Sequence, residues 1–312
     1  MVAGRSRSDH AQQAGAADAG MRPARLSASV RPPEHGTDTS KESLADGYES
    51  FYREFDSPLM RQLRREAYGE DIGQHSWVGV EELRGDIHRL KLSPSSRFLD
   101  LGCGPCGPLT FILATVGCLG TGVELSPSAL QVGRARAASL GIGARLSVQE
   151  GDLNDPLPFE PRSFDAAMSL DVVLHLRDRS KLFHEVAKLL PPGGRFLFTD
   201  AGVVTGSVSN EEARKRSVHG YTQFVAAGWN EGLLESAGFR LMETENRTMS
   251  VLKNASGRLA AMQTHRAALE QVSSAADFES QQDYLKTVIE LSRRGAVSRV
   301  MYLAEVHTPK AV

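Results

Sequence analysis

Residues 98–107 read FLDLGCGPCG. A short apolar run, Phe98 to Leu101, carries one acid, Asp100, and breaks into glycines at 102, 104 and 107. An apolar run closed by glycines is a strand entering a loop, because glycine reaches backbone conformations that other residues avoid. The spacing is G-x-G-x-x-G, and Glu124 follows at roughly the 20-residue offset expected of a ribose-binding acid. Alone the pattern is weak, since glycines after a strand also serve plain turns.

Outward from this loop the same rhythm repeats. Candidate strands cover Arg97–Leu101, Gly120–Leu125, Arg145–Gln149, Phe164–Leu170 and Arg195–Thr199. Their starts lie roughly 20–30 residues apart, the length of a right-handed strand–helix–strand crossover. Ser126-Pro127 marks a helix start directly after the second strand. Pro191-Pro192-Gly193-Gly194 stops the helix over Ser180–Leu190. Alternating strands and helices predict an α/β fold, a parallel sheet covered on both faces. Phe239–Thr248 reads as a sixth strand and Val297–His307 as a closing one, with helices over about Gly257–Val272 and Phe278–Arg294 between them.

The glycine loop admits three ligand readings. A dinucleotide would lay its pyrophosphate on backbone amides at a helix start, where Asp100 places an unfavourable like charge. Cys103-Gly104-Pro105-Cys106 spells C-x-x-C at a strand–helix junction, as in thioredoxin-like redox proteins, yet the five-strand pattern does not suit that small fold. S-adenosylmethionine carries an ammonium and a sulfonium and no phosphate, so an acid beside its amino-acid end is favourable.

From about Tyr48 onward the chain resembles class I S-adenosylmethionine-dependent methyltransferases. The matching pieces are FLDLGCGPCG (98–107), TGVELSPSAL (121–130), QEGDLNDPLPFEPRSFDAAMSLDVVLHL (149–176) and LLPPGGRFLFTD (189–200). The resemblance implies a Rossmann-like fold with a seven-stranded, mostly parallel sheet whose last strand is antiparallel. It implies that Asp100 and the backbone of Gly102 hold the methionine end of the cofactor and that Gly104 and Gly107 let the chain pass close beneath it. Glu124 would accept the ribose hydroxyls, Leu125 would flank the adenine, and Asp152 would accept from the adenine amino group with Leu153 nearby. The loop Gln74-His75-Ser76-Trp77 falls where relatives fold a lid, with Gln74 or Ser76 near the cofactor carboxylate.

Leu170-Asp171-Val172-Val173-Leu174-His175-Leu176 follows the fourth strand. It is not the Asn/Asp-Pro-Pro-aromatic signature of nucleic-acid base methylation. It is similar to the D-x-x-L-H-L stretch of phosphoethanolamine and related small-amine methyltransferases, which makes His175 a candidate general base and Asp171 its orienter or an acceptor-binding acid. Two departures stand out: Ala201 replaces the tyrosine those enzymes place after the fifth strand, and Arg214, Arg216 and Tyr221 lie in the phosphate-binding region without a firm register. Prenyl-diphosphate C-methyltransferases are more distantly similar and keep a carboxylate base on this loop, a position Asp171 could fill. The expected activity is therefore methyl transfer to a small-molecule acceptor, N- or O-methylation favoured, C-methylation of an isoprenoid the alternative. An inactive cofactor-binding interaction protein is the alternative of a different class. Trp229 and the helices over 257–294 are expected to wall the acceptor, and no metal is expected.

Composition sets the outer limits. The chain has 312 residues, 41% hydrophobic and 24% charged, with net charge −2 and three cysteines. That is globular composition with material for a sizeable core. It offers no electrostatic case for nucleic acid, no run of the ~18 apolar residues a membrane helix needs, and no apolar stretch near the start that reads as a secretory signal. So few cysteines fit a reducing cytoplasm. Residues 1–46 are rich in Ala, Gly, Ser, Pro and Arg and are expected to be disordered. Residues 47–92, opened by the stripe Tyr48, Phe51, Tyr52 and Phe55, are expected to form a helical lid, and 93–312 the cofactor-binding domain with a helical insertion at about 250–294.

Overall fold

The computed structural model describes residues 49, 51–217 and 221–307. The expected disorder over 1–46 and the first residue of the aromatic stripe, Tyr48, lie outside these described residues.

In chain order the elements are α1 (Pro58–Tyr68), α2 (Val80–Leu90), β1 (Arg97–Leu101), α3 (Gly107–Val116), β2 (Leu119–Glu124), α4 (Pro127–Ser139), β3 (Leu146–Glu150), β4 (Ala166–Leu170), α5 (Arg179–Leu189), β5 (Arg195–Val204), α6 (Asn210–Arg216), β6 (Val225–Ala226), α7 (Trp229–Ser236), β7 (Phe239–Asn246), α8 (Thr248–Thr264), α9 (Arg266–Leu269), α10 (Ala275–Arg293) and β8 (Val297–Val306). The sheet order is β3-β2-β1-β4-β5-β8-β7. The first five strands are mutually parallel, and β8 runs antiparallel to both β5 and β7. The seven expected strands form this path, and the eighth, the two-residue β6, pairs with Val203 and Val204 at the far end of β5. Sequence ends β5 at Thr199 because Asp200 breaks the apolar run. In the fold Asp200 is buried and ion-paired to Arg179 at 2.6 Å, so the strand continues through a bulge to Val204.

The strands build two apolar layers because successive side chains point to opposite faces. Leu99, Ala167, Phe196, Phe198 and Tyr302 pack on one face with Phe183, Val186 and Leu234 from α5 and α7. Phe98, Met168, Leu197 and Met301 pack on the other with Leu83, Ile112 and Leu130 from α2, α3 and α4. A sheet buried on both faces presents no flat side to a ligand, so the binding crevice falls at the carboxyl ends of the strands, where β1 and β4 separate the two halves of the order.

The helices between β7 and β8 roof that end. Trp77, Ala201, Val251, Ala255, Tyr284 and Val288 form a separate apolar cluster. α8 lies tight on α1: a Cβ added to Gly257 would stand 2.5 Å from the carbonyl oxygen of Ala67. On the other flank Phe55 and Tyr52 pack on Ala129 of α4, while the Glu49 carboxylate accepts from Ser126 Oγ and from the amide and hydroxyl of Ser128. A carboxylate at a helix start is stabilising, since it meets unpaired amides at the positive end of the dipole.

Candidate active site

At the end of β1 the chain needs left-handed backbone at once, and Gly102 (φ +75°) and Gly104 (φ +52°) supply it. The amides of Gly102 and Cys103 both donate to Val123 O, at 2.8 and 3.1 Å, which ties the loop to β2. Glycine is also required sterically. A Cβ on Gly102 would stand 2.5 Å from Val172, and one on Gly107 would stand 2.2 Å from the carbonyl oxygen of Gly73. The segment before α2 thus rests directly on the start of α3.

These elements enclose a cavity with about 1430 Å³ of empty space, solvent at its mouth included. Asp100, Gly102, Gly104, Glu124, Leu125, Asp152, Leu153 and Leu170 line it, as do Ser76, Asp171 and His175. Gln74 does not. Its amide is spent inside its own loop, with Oε1 accepting from Ile72 N and Nε2 donating to Glu70 O, both at 2.9 Å, so the side chain staples the turn. Trp229 is half exposed and also stands outside the lining.

The acids gather at one end. Glu124 accepts from the amides of Gly104 and Ser126, each at 3.0 Å, while burial pushes its carboxyl up. Asp100 is pushed up to about 8, by burial first and then by the charge of Glu124. Two buried acids kept side by side with incomplete compensation favour a cationic or hydrogen-bond-donating ligand. Asp152 Oδ1 accepts from the amide and side chain of Asn154, which fixes its rotamer at the end of β3.

The other end holds His175, Arg216 and Arg258. His175 sits in a single 3-10 turn, Val173–His175, with Nδ1 3.0 Å from Tyr221 O. A carbonyl only accepts, so Nδ1 carries the proton and Nε2 the lone pair. Burial lowers the imidazole pKa below its usual value, which keeps the ring neutral. The carbonyl of Tyr221, and not Asp171, therefore orients the ring. That stretch is itself pinned: Gln223 N donates to Leu174 O at 2.7 Å, and Arg179 donates to Gln223 O and Oε1, both at 3.0 Å.

Asp171 is engaged by the protein itself. Its Oδ1 takes Arg299 Nε and Thr199 Oγ1, both at 2.8 Å, and its Oδ2 takes Trp77 N at 2.9 Å. Burial opposes the charge, but Arg299 and these donors win and hold the carboxyl below its usual value. A carboxylate so engaged is a poor proton acceptor. It ties the backbone of Trp77 to the loop after β4.

The two arginines that line the cavity, Arg216 and Arg258, form no ion pair with a carboxylate of the described residues. Buried Arg216 donates to Tyr284 Oη at 3.0 Å and reaches Ala201 O at 3.4 Å. Arg258 donates to His75 O and stacks over Trp77 at 4.8 Å and Tyr68 at 5.3 Å. Sequence reasoning left Arg216 unplaced and did not single out Arg258 or Arg299. The one signal for Arg299 was a charge at an inward position of an alternating strand.

A family model described as a methyltransferase domain matches residues 99–198. Glycine/sarcosine/dimethylglycine N-methyltransferase of Actinopolyspora halophila is 34% identical over 142 residues, covering 46% of this chain and 24% of that protein. Phosphoethanolamine N-methyltransferase 1 of Zea mays is 29% identical over 210 residues, covering 66% of this chain and 41% of that protein. The chain thus spans less than half the length of both relatives. Phosphoethanolamine N-methyltransferase 2 of Haemonchus contortus, solved with phosphomonomethylethanolamine and S-adenosylhomocysteine, shares the fold with a TM-score of 0.70 at 22% identity, covering 84% of this chain and 60% of that one. Sheet order, glycine loop and family match agree: residues 99–198 match a methyltransferase domain, on a fold shared with solved methyltransferases.

Proposed function

We propose that the protein transfers a methyl group from S-adenosylmethionine to a small-molecule acceptor at an amine or hydroxyl. The observation that carries this reading is the pair of buried acids, Asp100 and Glu124, opening into one cavity with the neutral imidazole of His175. The acids suit the cofactor: Asp100 an ammonium, Glu124 a ribose diol, and Asp152 an adenine amino group. A pyrophosphate on the same loop would face Asp100 and Glu124, which is repulsive. Ser76, Gly102, Gly104, Leu125, Leu153 and Leu170 complete the proposed cofactor surface.

When bound, the cofactor supplies an electrophilic methyl on a sulfonium. The chain must then align the acceptor, exclude water and manage one proton. Alignment supplies most of the rate enhancement in such a displacement. Trp77 and Tyr284 roof the cavity, and His175 Nε2 takes the acceptor proton, an effect worth roughly 10²–10⁴-fold where a proton must leave. Arg216 and Arg258 favour an acceptor with an anionic end, and the N-methyltransferases similar to this chain are named for such substrates. The C-methylation alternative needs a free carboxylate base, and the tie between Asp171 and Arg299 argues against it. The charge balance and cavity favour neither nucleic acid nor membrane as partner. No helix among the described residues is long and apolar enough to cross a bilayer, and a cytoplasmic setting is part of the proposal.

The test is turnover with labelled cofactor against a panel of amines and alcohols that carry a carboxylate, a phosphate or no charge. Activity confined to anion-bearing acceptors supports the reading. Transfer only to isoprenoids, or none to any acceptor despite cofactor binding, would overturn it.

A further inference from the structure

Methyl transfer leaves one feature of the cofactor loop unused. Cys103 and Cys106 face each other with Sγ atoms 3.5 Å apart. The amide of Cys106 donates to the carbonyl of Cys103 at 3.0 Å, so the four residues form a tight turn. A hydrogen-bonded turn of this span keeps its end Cα atoms within ~7 Å, inside the range a disulfide bridges. Cys103 lines the cavity, whereas Cys106 is fully buried behind it. Each sulfur occupies a slot that exists because a neighbour is glycine: a Cβ on Gly122 would stand 2.6 Å from Cys103 Sγ, and one on Gly133 2.6 Å from Cys106 Sγ. The third cysteine, Cys118, lies at the far end of α3, next to the amino end of β2, and cannot join the pair.

We propose that Cys103 and Cys106 form a reversible internal disulfide with a hydroperoxide that enters through the cavity, and that this disulfide and the bound nucleoside exclude each other. The exclusion half rests on the cofactor reading above. The chemistry balances without another reagent. Cys103 sulfur attacks the peroxide oxygen, the O–O bond breaks, and a sulfenic acid and one water (from hydrogen peroxide) result. Cys106 sulfur then displaces hydroxide from the sulfenic sulfur, the S–S bond forms, and the hydroxide leaves as the second water with the Cys106 thiol proton, the Cys103 proton having left in the first. Two thiols are oxidised by two electrons and one peroxide is reduced.

Exclusion follows from geometry. Closing the sulfurs from 3.5 Å to a bond of about 2.05 Å draws both out of their glycine slots and tightens the turn. Gly104 lies inside that turn, its amide fixes Glu124 Oε2 at 3.0 Å, and both thiols point at its carbonyl from 3.7 Å. Shrinking the ring therefore shifts the group that aims the ribose-binding carboxylate. Conversely, a nucleoside seated on Gly104 and Glu124 covers Cys103, the sulfur that must meet the oxidant. By linkage the two effects are reciprocal. Burial and the neighbouring Cys106 thiol push the Cys103 thiol well above its ordinary range, so little thiolate is present at neutral pH and the reaction with peroxide is slow.

The experiment treats the reduced full chain with hydrogen peroxide, with and without saturating S-adenosylhomocysteine, then alkylates and maps the peptides. Expected are loss of two hydrogens and a Cys103–Cys106 linkage without the nucleoside, suppressed at least fivefold with it. Calorimetry of the oxidised protein should show at least a tenfold loss of S-adenosylhomocysteine affinity, restored by dithiothreitol. In Cys106→Ser, peroxide should give no loss of two hydrogens, and the Cys103 sulfenic acid should instead be trapped by a sulfenic-acid-selective reagent. The wild-type mapping stands even if that variant folds poorly. Absence of the linkage, equal linkage with and without nucleoside, or unchanged affinity of the oxidised protein would each overturn the proposal. If the reduced protein fails to bind the nucleoside at all, the cofactor reading falls and the exclusion with it, while the linkage is still scored by mass.

Discussion

Asp171 and Arg299 are 128 residues apart in sequence and 2.8 Å apart in space, and their ion pair joins the loop after β4 to the last strand. Both side chains are buried, and Arg299 also reaches Glu82 of α2 at 2.8 Å. Asp171 adopts φ +59°, a conformation costly for a residue with a Cβ, and the pair holds it there. The consequence is a rigid floor for His175 and a fixed seat for Trp77.

Removing one partner strands the other charge. Arg299→Met should destabilise the fold by about 3–5 kcal/mol, the cost of an uncompensated buried ion, measured by urea denaturation. The sign with pH follows from the lowered carboxyl of Asp171. A depressed acid contributes stability that is present above its unfolded value near ~4 and is lost as pH falls through the folded value. The stability difference between wild type and Asp171→Asn should therefore shrink below about pH 4. A difference independent of pH would show that the carboxylate charge is not what matters.

His175→Ala should lower turnover at least tenfold while cofactor affinity stays within about twofold, since general bases contribute roughly 10²–10⁴-fold to proton transfer and little to binding of the other ligand. Because burial lowers the imidazole pKa, the base form persists in mild acid, and the rate should fall only below the ordinary histidine range near ~6.5. Turnover of the variant at the wild-type rate would reduce this loop to a wall.

Asp100, raised to about 8, is largely protonated at neutral pH without a ligand. An ammonium placed beside it stabilises the carboxylate, so binding should release a proton. S-adenosylhomocysteine affinity should rise between about pH 6 and 8, and its binding enthalpy at pH 7 should change with the ionisation enthalpy of the buffer. Asp100→Asn should abolish the buffer dependence. Identical enthalpies in phosphate and Tris for the wild type would contradict the assignment.

Gly107→Ala forces a methyl group against the Gly73 carbonyl, backbone on both sides. Overpacking of this kind costs typically about 1–3 kcal/mol. A lower melting temperature and weaker nucleoside binding should appear together, because the displaced segment carries His75, Ser76 and Trp77 to the cavity. A variant with wild-type melting and affinity would show the contact to be slack.

The strands and the glycine loop were legible because their signals are local: apolar runs, glycines at positive φ, acids at strand ends. The helix start at Ser126 was equally local, since its hydroxyl caps an amide three residues on. What sequence concealed was pairing at long range. Asp171 reads as a free acid until Arg299 arrives from the other end of the chain, and Gln74 reads as a ligand until its loop is closed. The two-residue β6 has no periodicity to detect, and the length of β5 depends on Arg179 neutralising Asp200. Arg258 lies on a helix whose alternating polar and apolar faces do not reveal that it stacks on Trp77.

The central claim is that Asp100 and Glu124 hold S-adenosylmethionine, and titration calorimetry tests it most directly. The wild-type chain should bind S-adenosylmethionine and S-adenosylhomocysteine and show no comparable affinity for NAD. Glu124→Ala should weaken S-adenosylhomocysteine binding by about 1.5–3 kcal/mol, the worth of a hydrogen bond to a charged group, which is roughly ten- to a hundredfold. Tight NAD binding with no heat from either sulfur nucleoside would contradict the account.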